Sequence, residues 1–266
     1  MTDYLGRVEP PRQWPRIECC GSSRSLYCSE CAKLLVPQVD DCPEPIRSGA
    51  LRLPFDLDIL LDIKERRTSS TGFHLQVLFD FMKEHAEEPP RNTVRFIDLS
   101  RESVPSYEDI DSSEHDGTDG GIFVLYPSKE SVPISSVGNI RKLIVLDCKW
   151  SRTSVKMHQN IARFPQVHLE DPPEESQFWR WHNEGRGMLS TIEAVYFSAW
   201  QATDDELQRS YLVHLLWIFA LQRAVIQKCS KEEQRHPPYS NIGKEEQRKL
   251  RDRKLQDELK GRVKKQ

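Results

Sequence analysis

The sequence predicts an α/β fold: a mostly parallel sheet with helices on both faces, carried by three observations. Gly121 to Tyr126 (GIFVLY) and Lys142 to Leu146 (KLIVL) are nearly continuous apolar runs, the pattern of strands covered on both sides. Phe73 to His85 (FHLQVLFDFMKEH) puts Phe73, Val77, Leu78 and Phe81 at helical spacing, so strand-like and helix-like segments alternate along the chain. The length, 266 residues, suits one large domain or one domain with a small appendage.

In chain order, residues 1–18 are polar and Pro-rich and are expected to be a disordered leader without the apolar run of a secretory signal. Residues 19–45 hold a Cys-rich knuckle. Leu51 to Ile63 (LRLPFDLDILLDI) starts the apolar patterning of the main domain, residues 46–230. After the helix at 73–85, Thr93 to Leu99 reads as a strand. The segment 102–119 has seven acidic residues and no Lys or Arg, which predicts a mobile surface loop that points away from any RNA. The strands at 121–126 and 142–146 follow, then helical signals at Thr153 to Arg163, Ser190 to Ala202 and Asp205 to Lys228. Residues 231–266 form a charged, net basic tail. Its last part, Lys244 to Gln266, carries ten Lys/Arg against five Asp/Glu, a local charge of +5. It reads either as a solubilising tail or as an RNA-steering arm or nuclear-import signal.

Composition narrows the function classes. Net charge is −3, so the chain is not a polycation, and any RNA contact needs basic groups gathered on one face or tail. The longest apolar stretch, Tyr211 to Leu221, is about half a membrane span and is interrupted by His214. A core helix and no membrane partner are expected, with the protein soluble and in the nucleus or cytoplasm.

Five of the seven cysteines lie in the first 42 residues. In a reducing compartment such clustering points to metal rather than disulfides. Cys28-Ser-Glu-Cys31 is a CxxC turn of the kind that brings two thiolates to one tetrahedral Zn2+. Cys19 and Cys20 would complete the set, but adjacent cysteines rarely both bind one ion, so Cys42 or incidental reduced thiols stay open as alternatives.

The segment KLIVLDCKW delivers Asp147 at the carboxyl end of a buried strand, the position where parallel α/β sheets form their ligand crevice. An Asp there serves equally as the cap of a following helix. Further on, MLSTIEAVYFSAW sets Ser190 three residues before Glu193, capping-box spacing.

Together, LDCKW and LSTIEA resemble the signature of the DTW family, an Asp-x-Thr-Trp followed downstream by a Leu-Ser-Thr-x-Glu-Ala helix start. CGSSRSLYCSEC is similar to that family's Cys-rich knuckle, LRLPFDLDIL with SSTGFH to its first strand and following helix, and VLYPSKESVPI to its central strand and loop. FWRWHNEGRGMLSTIEA resembles the eukaryotic nuclear-type tRNA-uridine aminocarboxypropyltransferases. Two departures stand out: Lys149 replaces the family's Thr, and Ile17 stands where a knuckle cysteine is expected.

The resemblance implies a SPOUT-like fold with a C-terminal trefoil knot that holds S-adenosylmethionine. The implied reaction transfers a 3-amino-3-carboxypropyl group to N3 of a uridine in the tRNA D-loop by a monomer or weak oligomer. An RNA methyltransferase of the same fold and a non-catalytic RNA-binding protein are the alternatives. On this view Asp147 is a general base or an orienting group and Trp150 stacks on a base. Tyr126, Pro127, Asp147, Leu189, Ser190, Thr191 and Glu193 surround the donor. Arg152, Lys156, Arg180 and Arg186 meet RNA phosphate or the donor's carboxylate. Arg141, Lys142, Lys149 and Arg163 add basic groups around the same place.

Overall fold

In the computed structural model, residues 1–9, 15–36, 41–107, 120–149, 159–179 and 187–229 are described. In order they form α1 (Thr2–Arg7), β1 (Ile17–Cys19), β2 (Ser22–Arg24), α2 (Glu44–Arg47), β3 (Asp56–Leu61), α3 (Phe73–His85) and β4 (Val94–Asp98). Then come β5 (Gly121–Leu125), β6 (Val132–Pro133), β7 (Ile140–Asp147), α4 (Gln159–Ala162), β8 (Gln166–His168), α5 (Thr191–Gln201), α6 (Glu206–Leu212) and α7 (Trp217–Cys229).

Among the described residues, six strands make one sheet in the order β4-β3-β7-β5-β8-β6, and every pairing in it is parallel. The two apolar runs of the sequence occupy its centre. β7 is flanked by β3 and β5, so Leu143, Ile144 and Val145 are buried from both sides. Pleating divides them: Leu143 and Val145 join a core with α3, α5 and α7, whereas Ile144 packs with Tyr107, Ile161 and Phe164 on the opposite face. β8 is inserted between β5 and β6, strands consecutive in the chain.

Several expectations change. The expected leader contains α1, whose Leu5 is buried, while Tyr4 hydrogen-bonds His214 at 3.1 Å; one buried leucine anchors a helix too short to show a periodicity. The acidic loop begins with an anchored segment, because Tyr107 is fully buried and donates to Asp58 at 2.9 Å; residues 108–119 lie outside the described residues. Lys142, expected to meet phosphate, is buried in mid-sheet with Nζ 3.4 Å from Asp58, which also pairs with Arg95. Strand alternation aims it at a carboxylate across the sheet. The helical stretch from Asp205 is broken by a tighter 3-10 turn at Val213–Leu216. No helix among the described residues is long and apolar enough to cross a membrane.

Candidate functional site

The carboxyl ends of the central strands carry the features of interest. β7 ends at Asp147, whose carbonyl accepts from the Asp62 amide at 3.0 Å, prolonging the β3–β7 pairing. The Asp147 side chain is buried and turns toward the helix face. Ser70 Oγ donates to its Oδ2 in a short hydrogen bond, and Ser70 Oγ in turn accepts the Phe73 amide of α3 at 3.1 Å. Thr191, at the start of α5, and the Gly72 amide also bond the carboxylate. Burial pushes the Asp147 carboxyl above its ordinary range, and the bonds from Ser70, Thr191 and Gly72 pull against that shift.

Gly72 is required by space. A Cβ there would stand 2.9 Å from Asp147 Oδ2 and 3.0 Å from Thr191 Cγ2. Thr71 completes the joint: its Oγ1 accepts the Ile192 amide at 3.3 Å. Ser70-Thr71-Gly72, Asp147 and Thr191 therefore tie the first turns of α3 and α5 to the central strand, where the helix dipoles favour a carboxylate.

The opening of α5 is closed by the box the spacing predicts. Glu193 Oε2 accepts the Ser190 amide at 2.9 Å and its hydroxyl at 2.6 Å. Glu193 is fully buried and also receives Ser176 Oγ at 2.5 Å and the Gln177 amide at 2.6 Å, which fastens residues 176–178 to the helix.

Beside this joint lies a cavity of about 420 Å³ between the ends of β5, β7 and β8 and the start of α5. Its wall is largely apolar with few polar groups, the character of a small-molecule site. Tyr126, Pro127, Leu189 and Thr191, all predicted donor contacts, line it, as do Leu146, Cys148, His168 and Met188. Asp147, Ser190 and Glu193 do not line it; their polar groups are spent on the helix joint and the capping box. The expected carboxylate-binding amides of the α5 start are likewise partly used, since Ile192 N–H goes to Thr71 and the amide of Glu193 to the box. Trp150, Arg152, Lys156, Arg180 and Arg186 lie outside the described residues. Lys149 is exposed, 3.9 Å from Glu65 Oε1. Arg163 lies over the Phe164 ring at 4.9 Å.

No family model matches the chain, and no curated protein matches it. Among solved structures it is similar to the SAM-dependent rRNA:acp-transferase Tsr3 from Vulcanisaeta distributa. The two are 18% identical, with 66% of this chain and 80% of that chain covered and a TM-score of 0.38. A likeness this distant leaves the function to be argued from the crevice.

His168 and Cys148 are lining residues with reactive side chains that sequence reasoning did not single out. The strand bearing His168 is three residues long, too short to show alternation.

The N-terminal cysteines form a second cluster. Cys20 takes a left-handed backbone with φ 50° and Gly21 follows at φ 71°. This turn folds the adjacent thiols onto the CxxC turn. Cys19 Sγ is 3.6 Å from Cys31 Sγ and 4.0 Å from Cys20 Sγ, and the four Sγ atoms of Cys19, Cys20, Cys28 and Cys31 lie within 4.8 Å of one another. A tetrahedral zinc with Zn–S of about 2.3 Å sets thiolates about 3.8 Å apart, so these four thiols fit a metal ion. Burial opposes ionisation of Cys28, but the amides of Cys31 and Glu30 and the neighbouring thiols outweigh it and hold the thiol down at about 7. The cluster is docked on the strand ends. Glu30 pairs with Arg101 at 3.0 Å, and Arg67, paired with Asp98 at 2.9 Å, reaches the Glu30 carbonyl at 3.5 Å.

Proposed function

We propose that this chain transfers a 3-amino-3-carboxypropyl group from S-adenosylmethionine to N3 of a uridine in tRNA, in the D-loop. One observation carries the reading: the end of KLIVLD, the loop at Tyr126-Pro127 and the helix opening at Leu189 to Thr191, far apart in sequence, converge on a single cavity of about 420 Å³. A donor with an adenine ring and a compact amino acid suits an apolar pocket of that size with a few polar groups at its edge. When bound, S-adenosylmethionine supplies a carbon made electrophilic by the adjacent sulfonium.

The chain's own work is then orientation. Leu125, Leu146 and Leu189 exclude water, and the tied helix joint holds Thr191 in place at the wall, which favours one of the sulfonium's substituents facing the acceptor. Cys148 precedes residues 150–158 and Gly187 follows 180–186, and both line the cavity. Arg152, Lys156, Arg180 and Arg186 are assigned to RNA phosphate because the chain leaves the cavity lining at Cys148 and returns to it at Gly187. A SPOUT-like class and a knotted C-terminal part belong to the same proposal, and the insertion of β8 between β5 and β6 supports them. Zn2+ in the four-thiol cluster is assigned a structural role.

Nucleoside mass spectrometry of tRNA incubated with the full chain and S-adenosylmethionine tests the reading. The expected result is an aminocarboxypropyl uridine with methylthioadenosine as by-product. A methylated base with S-adenosylhomocysteine replaces the proposal with a methyltransferase, and absence of donor binding in calorimetry replaces it with a non-catalytic RNA-binding protein.

A further inference from the structure

Removing the N3 proton of a uridine needs a base, and the buried Asp147 does not line the cavity. Among the described residues, the titratable side chains on the wall are Tyr126, Cys148 and His168. A thiolate beside an alkylating sulfonium would itself be consumed, and a phenol must first lose its own proton. Imidazole is the side chain most used to take a proton in catalysis.

The hydrogen bonds around His168 favour one ring nitrogen as the free one. Ser131 Oγ lies 2.9 Å from Nδ1. The same hydroxyl donates to the Ser128 carbonyl at 2.8 Å and accepts the Ser128 amide at 3.1 Å. A hydroxyl has one proton to give, and the Ser128 carbonyl is placed to receive it. With its proton given there, Ser131 is an acceptor toward the ring and Nδ1 carries the hydrogen. In a neutral imidazole the other nitrogen, Nε2, then holds the lone pair. A four-residue turn thus favours this tautomer of a histidine at the carboxyl end of β8, where parallel sheets present ligand-facing groups.

We propose that His168 is the general base of the reaction, with Ser131 as its positioning residue; this rests on the transfer reading above. The proton leaves uridine N3 for His168 Nε2, and the nitrogen's electron pair forms the bond to the donor's propyl carbon. The carbon–sulfur pair departs with sulfur, which becomes a neutral thioether. The proton then passes from the imidazolium to water, so charge and atoms balance.

The test compares wild type, His168→Gln and Ser131→Ala as full chains. Donor affinity is read by calorimetry, folding by urea midpoint, and rate by nucleoside mass spectrometry of tRNA. His168→Gln should bind donor within about twofold of wild type and lose about 10²- to 10⁴-fold in rate, the usual share of a general base. Ser131→Ala should show a smaller loss, and His168→Ala should regain rate with added imidazole. A His168→Gln chain that turns over at the wild-type rate overturns the proposal while leaving the transfer reading intact. Loss of donor binding in that variant assigns the ring to the donor and also overturns it. A wild type that transfers nothing ends the transfer reading and this proposal with it.

Discussion

Replacing Asp147 separates its role in the helix joint from a role in chemistry. In Asp147→Ala the Ser70 hydroxyl, the Thr191 side chain and the Gly72 amide lose their shared acceptor at a buried site. A buried donor left unsatisfied costs about 1–3 kcal/mol, and each helix start loses a further ~0.3–1 kcal/mol of dipole stabilisation. The Ser70 hydroxyl rotates to a new partner, so two stranded donors are the fair count, and the lower half of each range gives a loss of about 3–5 kcal/mol. Against a typical stability of about 5–15 kcal/mol that is a large fraction. With a slope of about 2 kcal/mol per molar, the urea midpoint should fall by roughly 2 M. Asp147→Asn keeps the shape and one acceptor oxygen. Because burial already disfavours the charged carboxylate, losing the charge should cost within about 1 kcal/mol. Tryptophan fluorescence in urea reads both variants, and the transfer assay completes the comparison: the Asn variant should keep most of its rate. An Asp147→Ala chain with an unmoved midpoint, or a well-folded Asp147→Asn chain without activity, refutes the joint and returns the carboxylate to the chemistry.

Other outcomes follow from the same geometry. Gly72→Ala keeps an ordinary helical backbone, with φ −62°, but its Cβ must displace Asp147 or Thr191; it should cost about 1–2 kcal/mol and weaken donor affinity several-fold in calorimetry, because Thr191 lines the cavity. His74 is fully buried, and burial lowers its pKa from 6.5 to about 4. The folded ring stays neutral while the unfolded one takes a proton below 6.5, so stability is unaffected above that pH and falls by about 3 kcal/mol as pH drops to about 4. Urea midpoints across this window should show the slope in wild type and a shallower one in His74→Gln. Cys28→Ser should abolish stoichiometric zinc in plasma mass spectrometry and lower the melting temperature by the same amount that chelation lowers it in wild type.

The parts of the fold legible in the sequence are those where one period runs long enough. α3 falls on Phe73–His85 as its apolar spacing predicts, and β7 is found from its run of four apolar residues. β6 and β8, two and three residues long, carry no pattern of their own and exist because β5 and its neighbours offer them an edge. Lys142 is similar: a lysine reads as solvated until a strand across the sheet supplies Asp58. The crevice was legible because strand carboxyl ends are where α/β sheets bind. The role of Asp147 was not, since a cap and a base look alike in sequence, and the deciding partner, Ser70, is 77 residues away.

The carboxyl end of β7 explains why the joint and the cavity occur together. Asp147 bonds the helix starts while Val145, Leu146 and Cys148 beside it line the cavity, so one strand end both fastens α3 and α5 and forms part of the wall. Thr191 belongs to both sides, bonding Asp147 and facing the cavity. A wall built on such a tie holds its groups to within a fraction of an ångström, as catalysis by orientation requires. It follows that loss of activity in a destabilised joint variant such as Asp147→Ala is weak evidence for chemistry at that residue, because a shift of Thr191 alone would move the wall. The isosteric Asp147→Asn keeps the tie and isolates the charge. His168 is held instead by Ser131 of the Ser128–Ser131 turn, with no bond to the joint among the described residues, so its variants read proton transfer with the wall left in place.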